Sequence, residues 1–215
     1  NICGTGTTPT LAGTSAVCGV ELECGSNSGG VPCSDVFITG NVFRAVVFGV
    51  YIYQKSGTGT QKFSNVVIAN NVFLDTRVNE TITADAEGGT QAWRVSRNTV
   101  RKTASGPYMY AGVKIPHRGT NTDWLIERNA FDGGAVGPVV QEAPDGGTTS
   151  NVTIRDNLFA NTGNSGVPVF ATAPSSYTTA RNKVGAIEWD ASDPLGFRHA
   201  YTGTVGADEF QGVIA

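Results

Sequence analysis

The chain is 215 residues long, with 28 glycines, 15% charged residues, one methionine and a formal charge of −3. Glycine is near twice its ordinary share and charge is well below the usual quarter, which argues against a coiled coil, a helical bundle or a charged disordered tail. No apolar run approaches the roughly 18 residues of a membrane-spanning helix, and a negative chain without an extended basic patch is a poor match for nucleic acid. The length is enough for one domain with a real core. No signal peptide is present and the first residue is Asn1, so the chain reads as a processed piece of something longer.

The first segment, residues 1–33, holds all four cysteines: Cys3, Cys18, Cys24 and Cys33, at intervals of 15, 6 and 9. No C-x₂₋₄-C pair is present, so zinc is not indicated. Four cysteines in a Gly/Ser/Thr-rich stretch read instead as two disulfides, from three pairings, in an oxidising compartment.

From residue 34 a phrase recurs: SDVFITGNVF at 34–43, SNVVIANNVF at 64–73, QAWRVSRNTV at 91–100, TDWLIERNAF at 122–131, SNVTIRDNLF at 150–159 and a degraded SYTTARNKV at 176–184. Its pivot is Asn41, Asn71, Asn98, Asn129, Asn157 and Asn182, spaced 30, 27, 31, 28 and 25 residues apart. Asn1-Ile2-Cys3 matches the tail of an earlier copy. Three columns are apolar: Val36, Val66, Trp93, Trp124, Val152 and Tyr177 stand five before the pivot, and Ile38, Ile68, Val95, Ile126, Ile154 and Thr179 three before it. Phe43, Phe73, Val100, Phe131, Phe159 and Val184 stand two after it. Alternation on either side of a turn predicts short strands with one buried face. Asparagine suits the pivot because it tolerates the left-handed conformation and its amide can bond along a stack.

A second phrase follows each pivot: GVELE (19–23), GVYIY (49–53), TITAD (81–85), GVKIP (112–116), GPVVQ (137–141) and GVPVF (166–170). Its second and fourth positions are expected inward, as Val20/Leu22, Val50/Ile52, Ile82/Ala84, Val113/Ile115, Pro138/Val140 and Val167/Val169. Three strands per turn of 25–31 residues, stacked over six or seven turns, make a parallel β-helix across residues 1–184. Residues 185–215 break the period. GAIEWD is expected to complete a last strand with Ile187 and Trp189 inward, and the rest to form a short irregular cap or a junction to another unit.

The phrase V-x-I-x-x-N-x-F followed by G-V-x-I resembles the repeat of the pectate-lyase-like superfamily, whose members are right-handed, single-stranded parallel β-helices. These include polysaccharide lyases, glycan hydrolases and phage tailspikes. The resemblance implies an all-β, extracellular (secreted or virion-borne) protein acting on a polysaccharide laid along the outer face of one sheet. It also implies a homotrimer where the member is a tailspike. The alternative of a different class is a non-catalytic adhesin or structural spike.

The outward positions of the second phrase carry the candidate binding residues. Glu21, Tyr51, Thr83, Lys114, Val139 and Pro168 form one column; Glu23, Tyr53, Asp85, Pro116, Gln141 and Phe170 form the next; Lys55, Glu87, His117, Arg118 and Glu142 lie beyond. Aromatic faces beside carboxylates suit sugar rings and hydroxyls. Glu21, Glu23, Tyr51, Tyr53, Gln141 and Glu142 are therefore candidate substrate contacts, with Tyr108 and Tyr110 from the long 101–111 segment overhanging the face. Two catalytic sets are drawn. Asp85 and Glu87, two apart on a strand, have Cβ atoms about 7 Å apart, within the span of an inverting hydrolase pair. Lys114, His117 and Arg118 offer the base and cation of a lyase acting on a uronate. No calcium-type carboxylate cluster stands out, and no cofactor is indicated. Seven basic residues between 94 and 128, against Asp123 and Glu127, predict a cationic band for an anionic glycan.

Overall fold

The computed structural model describes residues 2–4, 18–24, 33–54, 63–76, 80–103, 109–142, 146–189 and 199–202. Three parallel sheets wrap one core and stack in about five turns, so the fold is an all-β parallel β-solenoid. The pre-pivot sheet holds Ser34–Thr39, Phe63–Ala69, Thr90–Ser96, Thr120–Glu127, Thr148–Arg155 and Tyr177–Ala180. The post-pivot sheet holds Ile2–Gly4, Val42–Arg44, Val72–Leu74, Thr99–Arg101, Ala130–Asp132, Leu158–Ala160 and Lys183–Val184. The third sheet is built from the second phrase: Cys18–Cys24, Phe48–Gln54, Glu80–Asp85, Ala111–Lys114, Gly137–Gln141 and Val169–Phe170. Each repeat column is a hydrogen-bonded rung-to-rung register, for example Val66 with Trp93, Trp93 with Trp124 and Phe73 with Val100. Ile2 and Cys3 sit opposite Val42 and Phe43, as an earlier copy's tail should.

The core follows the columns. Val50, Ile52, Val66, Ile68, Phe73, Ile82, Val95, Val113, Ile126 and Phe131 are all sealed from solvent. Trp93 and Trp124 stack at 4.7 Å, and their indole N–H groups donate to the Phe63 carbonyl (3.1 Å) and the Thr90 hydroxyl (2.8 Å). A buried indole needs such a partner, because a lone polar group in the core costs on the order of 1–3 kcal/mol.

The pivot asparagines form a ladder. At each step the backbone N–H and the side-chain Nδ2 of one asparagine donate to Oδ1 of the next, at 2.9–3.1 Å from Asn41 through Asn182. The left-handed residue is not the pivot itself, contrary to the expectation, but the one before it: Gly40, Asn70, Arg97, Arg128, Asp156 and Arg181 all have φ between 51° and 69°. A second left-handed column stands six before the pivot, at Asp35, Asn65, Ala92, Asp123 and Asn151. A sharp corner is turned by one residue, and the following asparagine satisfies the amides which that corner exposes.

Three further expectations are corrected. In the fifth turn Ala111 pairs with Gly137 and Val113 with Val139, so GPVVQ is one residue out of phase with its glycine. A slip of one exchanges the faces: Val139 and Gln141 are inward, Val140 is outward, and in the next turn Phe170 packs on the core while Val169 pairs with Val140. GAIEWD does not extend the stack. Ala186–Trp189 pairs antiparallel with His199–Thr202, and Ile187 packs on Ala130, Leu158 and Ala160, the outer side of the post-pivot sheet. The Cys18 thiol titrates, pushed up to about 11 by burial and then by the Glu21 carboxylate that engages it. Cys18 stands as a thiol and not in a bridge, so two disulfides using all four cysteines are not made. The side chains of Cys3 and Cys24 lie outside the described residues, and Cys33 is half-buried against the core.

Candidate functional site

The outer side of the second-phrase sheet carries a cleft of about 340 Å³. The strand Phe48–Gln54 supplies its aromatic wall: Phe48 stacks on Tyr51 at 4.7 Å and Tyr51 on Tyr53 at 4.9 Å, all three rings within 15° of parallel to their neighbour. Alternation places Tyr51 and Tyr53 outward while Val50 and Ile52 go to the core. The next strand contributes Glu80, Thr83 and Asp85, the one after it Lys114 with Tyr110 just ahead, and the fifth turn Glu142.

The charges are organised around Lys114. Its ammonium lies 3.5 Å from Glu80 and 3.2 Å from Glu142. Burial alone depresses its pKa, but the two carboxylates outweigh burial and hold it above the ordinary lysine value. Lys114 is thus a fixed cation rather than a proton acceptor near neutral pH. Tyr51 is held above its usual range by burial first, then by the negative charges of Asp85, Cys18, Glu21 and Glu80. Among the described residues Asp85 makes no hydrogen bond or ion pair with a side chain. Glu21 pairs in register with Tyr51 and is exposed, so it extends the negative edge of the face.

The residues singled out from the sequence divide accordingly. Tyr51, Asp85, Tyr110, Lys114 and Glu142 meet in the cleft, and Tyr53 backs its wall. His117 approaches from the rim, Nδ1 3.7 Å from the other Glu142 oxygen. Glu87 does not share a strand with Asp85: the strand ends at Asp85, Ala86 enters the core, and Glu87 sits in the following turn 3.7 Å from Arg118. Gln141 is turned into the core, where its Nε2 donates to the Pro116 carbonyl and the Thr149 hydroxyl, each at 2.6 Å, so it is not a surface contact. Tyr108 and the Glu23 side chain fall outside the described residues.

Phe48 and Glu80 escaped the sequence reading. They occupy one column, the position just before the second phrase, where Cys18, Phe48, Glu80, Ala111 and Gly137 share no residue type for a repeat to reveal. The register Val50 with Ile82 carries the pairing back to that position.

The cationic band also dissolves. Residues 94–128 run round a full turn, so their charges lie on different faces. Arg94 on the pre-pivot sheet donates to Glu127 at 2.6 Å, Arg155 reaches the same carboxylate at 2.8 Å, and Lys114 belongs to the cleft. A larger cleft of about 430 Å³ borders Arg101, Lys102, Asp132 and Ile187, but Asp132 already accepts from Asn161 at 2.8 Å. Among the described residues no three His, Cys, Asp or Glu side chains are arranged to hold a metal ion. Among the described residues no helix is long and apolar enough to cross a membrane. The chain matches no family model, no curated protein and no solved structure.

Proposed function

We propose that the protein binds and cleaves a polysaccharide laid across the aromatic-walled cleft, and that it is an extracellular, right-handed member of the pectate-lyase-like superfamily. The observation that carries the binding reading is the convergence of Phe48, Tyr51, Glu80, Asp85, Lys114 and Glu142 in one open groove from four successive strands. Aromatic walls beside carboxylates are the chemistry that grips sugar rings and hydroxyls. The repeat phrase and the parallel stack support the superfamily.

Hydrolysis fits the groove better than elimination. A lyase needs a cation free to neutralise a uronate carboxylate; here Lys114 is held by two carboxylates, and Arg118 and His117 stand beside Glu87 and Glu142. The hydrolase pair becomes Asp85 with Glu142 in place of Asp85 with Glu87. Thr83 pairs with Lys114 and Lys114 with Val140, and continuing that register puts Asp85 and Glu142 in one column two rungs apart. Two rungs span about 9.5 Å, at the upper end of the roughly 6.5–9.5 Å that leaves room for an attacking water in inversion. One carboxyl protonates the leaving oxygen and the other activates the water.

A glycan panel scored for binding, reducing ends and unsaturated product tests this reading. Asp85→Asn and Glu142→Gln should each lower turnover by about 100-fold or more, while Tyr51→Ala weakens binding. Unsaturated product would overturn the hydrolase assignment. Binding without any product would favour the non-catalytic adhesin or spike.

A further inference from the structure

The charge balance of the cleft names a substrate class, an inference that rests on the glycan reading above. Three carboxylates, Glu80, Asp85 and Glu142, face one ammonium, Lys114. Glu80 and Glu142 share that ammonium, whereas Asp85 stands half-buried with no side-chain partner among the described residues. Among the described residues, counting both Lys114 and His117 as cations still leaves the groove negative, because Arg118 is matched by Glu87.

A uronate or sulfated chain entering such a groove brings like charge against Asp85 and Glu142 at low effective dielectric, where repulsion is strong. A protonated amine meets the opposite situation. It gains an ion pair with Asp85 without breaking one that already exists, while the sugar ring rests on the wall of Phe48 and Tyr51. We propose that the cleft takes a glycan bearing protonated amino groups, an amino-sugar polymer, with Asp85 as the residue that reads the charge.

Calorimetric titration of the whole chain with three oligomers of equal length tests this. They are a fully deacetylated glucosamine oligomer under conditions that protonate its amines, its N-acetylated counterpart, and an oligogalacturonate. The amino oligomer should bind about ten-fold or more tighter than the N-acetylated one, and the gap should close as salt rises. Asp85→Asn should erase the gap, chiefly by weakening the amino oligomer, with the thermal midpoint in place. Glu142→Gln, more exposed and farther along the groove, should narrow it less. Equal affinity for the two glucosamine oligomers, or preference for the uronate, overturns the amino-sugar assignment but leaves glycan binding standing. Absence of binding to all three, and to the neutral panel, overturns the glycan reading itself.

Discussion

Asn98 shows what one residue does in this fold. Its Oδ1 accepts from the backbone N–H and the Nδ2 of Asn71, and its Nδ2 donates to the Ile68 carbonyl and to Asn129. All of this is buried, so Asn98→Ala strands a backbone N–H and a carbonyl together. The expected cost is about 3 kcal/mol in chemical denaturation, and a change below about 1 kcal/mol would show that the ladder is decorative. Glu127 is the electrostatic counterpart. Burial opposes its ionisation, but hydrogen bonds from Arg155 and Arg94 outweigh burial and hold the carboxyl below its ordinary value near 4.5. A carboxylate lowered in the folded state contributes stability above its unfolded pKa, and that contribution disappears as pH falls through the lower, folded value. The thermal midpoint should therefore drop on acidification below about pH 4.5, and drop less in Glu127→Gln. Parallel acid profiles in the two proteins would assign the loss to other groups, Asp156 first, since the Arg181 hydrogen bond lowers its pKa too.

At the scale of the element, the second-phrase glycine and the post-pivot phenylalanine are a single device. A Cβ on Gly19, Gly49 or Gly112 would fall 2.3–2.4 Å from the ring of Phe43, Phe73 or Phe131 in the following turn. Where Val100 replaces the ring, the glycine position is filled by Thr81, and the shifted fifth turn departs from the pairing, with Pro138 ahead of Phe159. Gly49→Ala should thus destabilise by about 2 kcal/mol through overpacking, and Phe73→Val in the same chain should recover part of that loss. If the double variant is simply the sum of the singles, the two positions are not coupled. This pairing explains why the repeats could be read so far from the sequence alone. A column of identical residues records a contact between turns, and Asn41 through Asn182 or Phe43 through Phe159 announce theirs by repetition. What could not be read was the phase of a degraded copy. In GPVVQ the glycine matches the template letter, but Pro138 occupies the site where Gly112 stands, and Val139 and Gln141 go inward. Ion pairs such as Lys114 with Glu142 were equally hidden, because partners 28 residues apart meet only once the register of that same turn is known.

At the scale of the whole molecule, nearly every contact is with the rung above or below, so stability is distributed along one axis rather than around one centre. The last described rung has no following strand in any of the three sheets, and its inner-column residues Tyr177 and Val184 are 38% and 47% exposed. Hydrogen exchange should therefore run fastest from that end, with amides of Tyr177–Ala180 opening well before those of Thr90–Ser96 and Thr120–Glu127. Uniform protection along the axis would contradict a rung-by-rung architecture. The asparagine ladder gives that axis a direction. Every asparagine-to-asparagine bond runs the same way, from donor to acceptor towards higher residue numbers, so the stack distinguishes its two ends as a zip does. A duplicated stretch of about one period, spliced in phase, finds its donor on one side and its acceptor on the other and adds a full turn without new chemistry. Such growth would lengthen the cleft-bearing face by one rung at a time, making the number of sugar units it can span a property that changes in whole steps.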